Sequence, residues 1–116
     1  MALLLSLSFA APVAAGPVED AVAAHDRGEY ATALRLLRPL ADQGHAAAEY
    51  KLGDMYKFGQ GVPRNWATAM GWYRKAADQG YARAQDSLGV MYEFGQGVPQ
   101  DYVLAVTWYR KAADQG

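Results

Sequence analysis

Apolar residues recur along this chain at the spacing of one face of an α-helix. In the segment after residue 45 they form a single stripe of a helix with about 3.6 residues per turn, made up of Ala48, Leu52, Met55 and Tyr56. A second stripe follows after a short polar segment and consists of Ala69, Trp72, Tyr73, Ala76 and Ala77. The pattern therefore predicts two consecutive helices, in which small alanines give large aromatic rings a flat surface to pack against.

The residues between the two stripes predict where one helix ends and the next begins. Gly59 stands where a helix C-terminus commonly has a left-handed residue, and Gly61 offers the same freedom shortly afterwards. Pro63 cannot continue the preceding helix. Asn65, and Asp101 at the corresponding place later in the chain, are favourable N-cap residues for the second helix. The segment thus predicts a helix–loop–helix unit.

This unit is repeated along the chain. The tripeptide Asp-Gln-Gly ends at Gly44, Gly80 and Gly116, which are 36 residues apart. Two blocks return unchanged: residues 58–63 (FGQGVP) as 94–99, and residues 72–77 (WYRKAA) as 108–113. Gly53 and Gly89 lie inside the first helix of each unit, where glycine costs about 1 kcal/mol relative to alanine. Their recurrence predicts a close approach by a neighbouring helix.

A third, less regular copy precedes these two. Its first helix is predicted to be shorter, over residues 18–26, and Arg27-Gly28-Glu29 replaces the long loop. Pro39 falls inside its second helix, removes one backbone hydrogen bond and predicts a kink or a division near Arg35. We therefore expect an all-α chain with an irregular repeat over 17–44 and regular repeats over 45–80 and 81–116.

The N-terminal residues have the pattern of a secretory signal peptide. Residues 3–11 are apolar and uncharged, and Val13, Ala14 and Ala15 place small residues where signal peptidase acts. No Lys or Arg precedes the apolar run, which is shorter than the about 20 residues of a membrane span. We expect residues 1–15 to be cleaved as a signal peptide. The mature protein would then be periplasmic or secreted in a bacterium, without stable membrane insertion.

Composition narrows the possible functions. The 116 residues include no cysteine, which excludes disulfides, thiolate catalysis and the usual structural zinc sites. The net charge is −1, and Lys and Arg are interleaved with Asp and Glu instead of forming the basic stripe that nucleic acid requires. His25 and His45 have no partner at metal-ligand spacing and are expected on the surface. We expect no nucleic acid, metal or cofactor to be bound.

No catalytic arrangement is recognisable in the sequence. The acids are spread over helix faces, with no Ser–His–Asp or paired-carboxylate pattern. The GQGVP loop lacks the Lys and Ser/Thr of a phosphate-binding loop. The aromatic stripe could be imagined as a carbohydrate or cofactor platform, but its helical spacing is typical of a core; it comprises Trp72, Tyr73, Trp108 and Tyr109. Packing and turns thus explain the positions that are identical between copies, and we expect no enzyme.

The repeat has a recognisable relative. From Ala48 the pattern Ala-x-x-x-Leu-Gly-x-Met-Tyr-x-x-Gly-x-Gly-Val-Pro, followed by Ala-x-x-Trp-Tyr-x-Lys-Ala-Ala-x-x-Gly, resembles the Sel-one-like repeat, itself related to the tetratricopeptide repeat. The resemblance covers residues 45–116 closely and 18–44 loosely. It implies a right-handed α/α superhelical solenoid that serves as an adaptor or scaffold for other proteins. A cysteine-rich secreted branch is associated with β-lactam hydrolysis, which implies a hydrolase as the alternative function. This chain lacks the cysteines that define that branch.

The resemblance also implies where a partner would bind, because the first helix of each pair lines the concave surface in related repeats. The solvent-facing positions there are Ala47, Tyr50, Asp54 and Lys57, and in the next unit Arg83, Asp86, Val90 and Glu93. They differ between copies, as expected if the scaffold is fixed and the binding face varies; alternatively they are simply solvated. A second hypothesis is that the C-terminal end binds a partner or self-associates, because no capping helix follows there and Tyr102, Val106 and Tyr109 are expected to be partly exposed.

Overall fold

A computed structural model describes residues 16–115, and every regular element in that part of the chain is a helix. In order these are α1 (Pro17–Asp26), α2 (Tyr30–Asp42), α3 (Ala46–Phe58), α4 (Trp66–Asp78), α5 (Ala82–Phe94) and α6 (Tyr102–Ala113). They pack as the hairpins α1–α2, α3–α4 and α5–α6, which stack into a body of 67 × 32 × 21 Å. The predicted all-α solenoid of helical repeats is therefore confirmed. The predicted signal peptide lies outside the described residues.

The helix ends follow the predicted local chemistry. The Asn65 side-chain oxygen accepts the backbone N–H of Thr68 at 3.0 Å, and Asp101 does the same for Leu104 at 3.0 Å. At the C-termini of α3 and α5, the first helices of the two regular repeats, Gly59 has a φ of 66° and Gly95 a φ of 64°, both in the left-handed region. Both predictions are confirmed, because each depends only on the backbone within one turn.

The glycines inside the first helices allow a close helix contact. A Cβ atom built on Gly53 would lie 2.5 Å from the ring of Tyr73, and one on Gly89 would lie 2.5 Å from the ring of Tyr109. The ring of each second-helix tyrosine therefore lies directly on the backbone of the first helix of its own repeat. The predicted close approach is confirmed.

The long loops join successive repeats. A Cβ on Gly61 would lie 2.9 Å from the Cβ of Tyr30, and one on Gly97 would lie 2.9 Å from the carbonyl carbon of Trp66. Each loop is thus seated on the first residue of the second helix in the preceding repeat. Sequence analysis assigned Gly61 only to a turn, whereas the structure also gives it an inter-repeat contact.

Most of the core lies in two clusters of buried residues. The first contains Ala21, Ala24, Ala33, Leu37, Ala41, Ala48, Leu52 and Met55. The second contains Ala69, Tyr73, Ala76, Ala77, Ala84, Leu88, Met91 and Trp108. Of the four aromatic residues predicted in the core, Tyr73 and Trp108 are buried, while Trp72 and Tyr109 are half-buried. Trp72 packs against the first cluster, which joins the first repeat to α3, and Trp108 belongs to the second cluster, which joins α4 to α5.

The second helix of the first repeat differs from the expectation of a division. α2 is continuous from Tyr30 to Asp42 with Pro39 inside it. Pro39 and Arg35 are both exposed, so the carbonyl that loses its N–H partner can be hydrated by solvent. Across residues 16–115, no helix is both long and apolar enough to cross a membrane.

Candidate protein-binding surface

The eight positions predicted to face a partner lie on α3 and α5, but solvent reaches them unequally. Arg83 and Asp86 are exposed. The other six are half-buried and comprise Ala47, Tyr50, Asp54, Lys57, Val90 and Glu93. Their contacts distinguish a surface patch around Tyr50 and Arg83 from two side chains, Asp54 and Glu93, that are hydrogen-bonded to tyrosines. That they bind a partner stays a prediction.

The surface patch is centred on Tyr50. Its ring lies 5.8 Å from that of Tyr73 and 5.4 Å from that of Tyr81, measured between centroids, so it bridges α3 to the start of α5. Burial raises the pKa of the Tyr50 hydroxyl, as does the charge of Asp54, while the nearby charge of Arg83 acts in the opposite direction. The packed rings of Tyr50 and Tyr81 therefore lie near the exposed guanidinium of Arg83.

Two of the predicted binding residues instead anchor tyrosines. The Tyr73 hydroxyl donates to Asp54 Oδ1 at 2.6 Å, and the Tyr109 hydroxyl donates to Glu93 Oε1 at 2.7 Å. Burial raises the pKa of Asp54 against the opposing effect of that hydrogen bond. Burial, followed by the Glu93 hydrogen bond, raises the pKa of Tyr109 to about 12.

The acceptor for the tyrosine changes place between copies. The position equivalent to Asp54 is Val90, and the position equivalent to Lys57 is Glu93, one helical turn further along. Each tyrosine thus has an acidic acceptor, but the acid stands at a different position in the two repeats. The residue differences at these two positions are therefore partly explained by the hydrogen bond to the tyrosine of the same repeat, and not only by variation of a binding face.

The glutamine of the Asp-Gln-Gly tripeptide has a role that sequence analysis missed. Gln79 Nε2 donates to the carbonyl of Gly44 at 2.9 Å and to Glu49 Oε1 at 2.7 Å. In the next repeat Gln115 Nε2 donates to Gln85 Oε1 at 2.6 Å. Glu49 and Gln85 occupy equivalent positions and are 4% and 5% exposed. The exact recurrence of this glutamine was the available signal for a hydrogen bond to a buried side chain.

Glu49→Gln is expected to change the pH dependence of stability. Burial raises the pKa of Glu49 above its ordinary value of 4.5, opposed by the Gln79 hydrogen bond and the Lys75 charge. The folded protein therefore holds this proton more tightly than the unfolded chain, and the contribution of Glu49 to wild-type stability falls as pH rises above about 4.5. The stability of the variant relative to wild type should grow over the same window, as measured by urea unfolding between pH 4 and 7.

The next repeat supplies the matched control for this experiment. Gln85→Glu places the acid in the equivalent buried position, so it should lose stability relative to wild type as pH rises. A stability difference that stays constant with pH in both variants would contradict the assignment.

The two histidines lie in different environments. His45 is exposed, as predicted, but His25 is half-buried, so the prediction for His25 is wrong. Its Nε2 lies 2.7 Å from Gln60 Oε1, and its ring lies 5.5 Å from that of Tyr30. The loop seated on Tyr30 brings Gln60 to this histidine, a contact that no local pattern indicates. Within the described part of the chain, no three His, Asp or Glu side chains are arranged to hold a metal ion.

Some residues that are identical between copies are not explained by packing. Phe58 and Phe94 end the first helices of consecutive repeats and are 60% and 63% exposed. The expectation that packing and turns account for every identical position is therefore wrong for these two. On α6, Tyr102 and Val106 are exposed and Tyr109 is half-buried, in line with the expected partial exposure; self-association there stays a prediction.

Comparison with known proteins places this geometry in a family. The Sel1 repeat profile matches residues 26–45, 46–81 and 82–116. A Sel1 repeat protein from Oxalobacter formigenes is similar in structure, with a TM-score of 0.81 and 40% identity over 84% of this chain. The protein c5321, a protective antigen of uropathogenic Escherichia coli with an SLR fold, gives a TM-score of 0.72 and 37% identity over 85%.

The two similar structures are longer than the aligned region. The match spans 40% of the first and 26% of the second. No curated protein matches the chain significantly. Because the repeat profile accounts for most of the sequence, and both the helices and the inter-repeat loops recur in register, the chain belongs to the Sel1 repeat family.

Proposed function

We propose that this protein is a non-enzymatic scaffold of an exported compartment and that it binds a protein partner on the surface formed by α3 and α5. Sel1 repeats are generally protein–protein interaction scaffolds, and the fold is typically non-catalytic. The observation that carries the proposal is the patch of Tyr50, Tyr81 and Arg83, with the exposed Asp86 three residues after Arg83 on α5. It joins packed aromatic rings to an exposed arginine, and these residue types are enriched where binding energy is concentrated.

The hydrogen bonds of Asp54 and Glu93 indicate which of the predicted residues contact the partner. Asp54 and Glu93 already accept hydrogen bonds from tyrosine hydroxyls. A partner that drew either carboxylate away from its tyrosine would leave that hydroxyl without a hydrogen bond. Arg83 and Asp86 are exposed, and neither has a side-chain hydrogen bond recorded within residues 16–115. We therefore assign the principal contact with the partner to Tyr50, Arg83 and Asp86.

A pull-down from envelope extract tests the proposed surface. The double variant Tyr50→Ala/Arg83→Ala should lose most of the captured partner, because a few central residues dominate typical interfaces. Arg35→Ala on α2 removes an exposed arginine elsewhere and should capture as much as wild type. Arg83→Ala/Asp86→Ala, which changes only exposed residues, separates lost contacts from lost folding. Identical capture by wild type and both double variants would eliminate this surface.

Two other parts of the proposal have separate tests. The apolar residues 3–11, followed by small residues, support export, and N-terminal sequencing of the mature protein should begin at Gly16. The exposed face of α6 is the second candidate contact, and Val106→Gln tests it in the same pull-down. Hydrolysis of a chromogenic β-lactam by the purified protein, above a buffer control, would overturn the non-enzymatic assignment.

A further inference from the structure

Phe58 and Phe94 form a regular pair of exposed aromatic residues on one edge of the stack. They end α3 and α5, stand at equivalent positions of consecutive repeats and are both well exposed. Most other large apolar residues that are identical in the two regular repeats are buried or half-buried, among them Leu52 and Met55 with their counterparts. Packing within the chain therefore does not account for the two phenylalanines.

The residues preceding this pair carry opposite charges. Lys57 precedes Phe58, and its Nζ lies 5.4 Å from the centre of that ring. The equivalent residue before Phe94 is Glu93, whose Oε1 accepts the Tyr109 hydroxyl while Oε2 makes no hydrogen bond within the described residues. Phe58 thus has a cation beside its ring, and Phe94 follows an acid whose second carboxylate oxygen is not hydrogen-bonded within residues 16–115.

We propose that a second copy of this chain covers this edge, related to the first by a two-fold axis that passes between the two phenylalanines. The rotation places Phe58 against Phe94 of the second copy, and Phe94 against its Phe58. It also places each Lys57 next to a Glu93 of the other chain, so both charge contacts are attractive. A two-fold contact of this kind is closed and uses the same surface on both copies.

The charge pattern selects this arrangement over the other pairings. A contact of Phe58 with its own counterpart would bring two Lys57 ammonium groups together, and a contact of Phe94 with its own counterpart would bring together two Glu93 carboxylates. Two aromatic rings per chain are far less than the about 800 Å² per partner of a stable interface. The dimer is therefore weak, with a dissociation constant of about 10 μM to 1 mM.

Sedimentation velocity and light scattering over a concentration series test this proposal on the mature chain. Wild type should shift from monomer to dimer as concentration rises to about 1 mM. Phe58→Ser/Phe94→Ser, which changes only exposed side chains, should remain monomeric. Lys57→Glu and Glu93→Lys should each raise the dissociation constant about tenfold or more, because each replaces two attractions by two repulsions.

Mixing the two charge variants distinguishes this geometry from any other association. A Lys57→Glu chain opposite a Glu93→Lys chain has complementary charges at both contacts, so the mixture should dimerise although neither variant does alone. Circular dichroism checks that Glu93→Lys, which removes the Tyr109 acceptor, remains folded. If it does not, Glu93→Gln keeps an acceptor oxygen and removes the charge; its mixture with Lys57→Glu retains one attractive contact, and should therefore still dimerise more strongly than Lys57→Glu alone.

Three results would overturn the proposal. The first is a wild type that stays monomeric throughout the concentration series. The second is a mixture of folded charge variants that stays monomeric. The third is association that persists in the phenylalanine variant but is lost in Val106→Gln, which would assign the contact to α6. Lys57 and Glu93 belong to the predicted partner-facing set, whereas Phe58→Ser/Phe94→Ser changes no residue of that set, so the phenylalanine variant tests dimerisation independently of the pull-down.

Discussion

Gly53→Ala is expected to destabilise the protein by about 1–3 kcal/mol, although alanine is the stronger helix former. The added Cβ would lie 2.5 Å from the ring of Tyr73. That ring is fully buried, and its hydroxyl is held by Asp54 at 2.6 Å, so it cannot move aside without losing core packing and a hydrogen bond. The cost of overpacking should therefore exceed the about 1 kcal/mol gained in helix propensity. Urea unfolding at neutral pH measures the difference.

Gly71→Ala supplies the matched control for that substitution. Gly71 also lies inside a helix, α4, but it is exposed and a Cβ there meets nothing within 4 Å. Only the propensity remains, so this variant should be more stable than wild type by about 0.5–1 kcal/mol. Stabilisation of similar size in both variants would show that the Tyr73 contact imposes no constraint.

Gly97→Ala should cost about 2–4 kcal/mol, because two penalties act together. Gly97 has a φ of +76°, where an L side chain is strained by about 1–2 kcal/mol. The Cβ would also lie 2.9 Å from the carbonyl carbon of Trp66, and backbone cannot turn aside as a side chain can. The loop should then detach from the preceding repeat. Urea unfolding should show a smaller m-value as well as a lower midpoint, since coupling between repeats is reduced.

Gly80→Ala separates the two penalties. Gly80 has a φ of +88°, but a Cβ there meets nothing within 4 Å, so only the backbone strain applies. Its expected cost is about 1–2 kcal/mol with an unchanged m-value. Equal losses in Gly80→Ala and Gly97→Ala would mean that the seating of the loop on Trp66 contributes nothing to stability.

Sequence reasoning succeeded where the structure is determined within one repeat. The N-caps at Asn65 and Asp101, the left-handed Gly59 and the close approach at Gly53 each depend on a few neighbouring residues or on a recurring glycine. Such features are read from residue type and spacing because the backbone leaves few alternatives. Because the regular unit recurs, the same caps, turns and close helix contacts are predicted in both regular repeats.

The candidate site was less predictable, because its side chains are arranged by contacts between helices. Helical spacing places Asp54 and Glu93 on an outer face, but it does not show that a tyrosine hydroxyl from the neighbouring helix reaches them. The spacing of His25 likewise predicts a surface position, because its partner Gln60 comes from a loop of the next repeat and no local pattern indicates that contact. Identity between copies was also an imperfect guide to packing, as the exposed Phe58 shows.

The seating of each loop on the preceding repeat has a consequence for synthesis on the ribosome. Tyr30 stands 31 residues before Gly61, and Trp66 stands 31 residues before Gly97, so the seat always leaves the ribosome before the loop that needs it. At about 5–20 residues per second, translation takes roughly 2–6 seconds to cover that interval. Helix formation needs about a microsecond or less. Each repeat therefore finds its contact residue already synthesised, and the same order from the N-terminus to the C-terminus would apply as an exported chain emerges from the membrane.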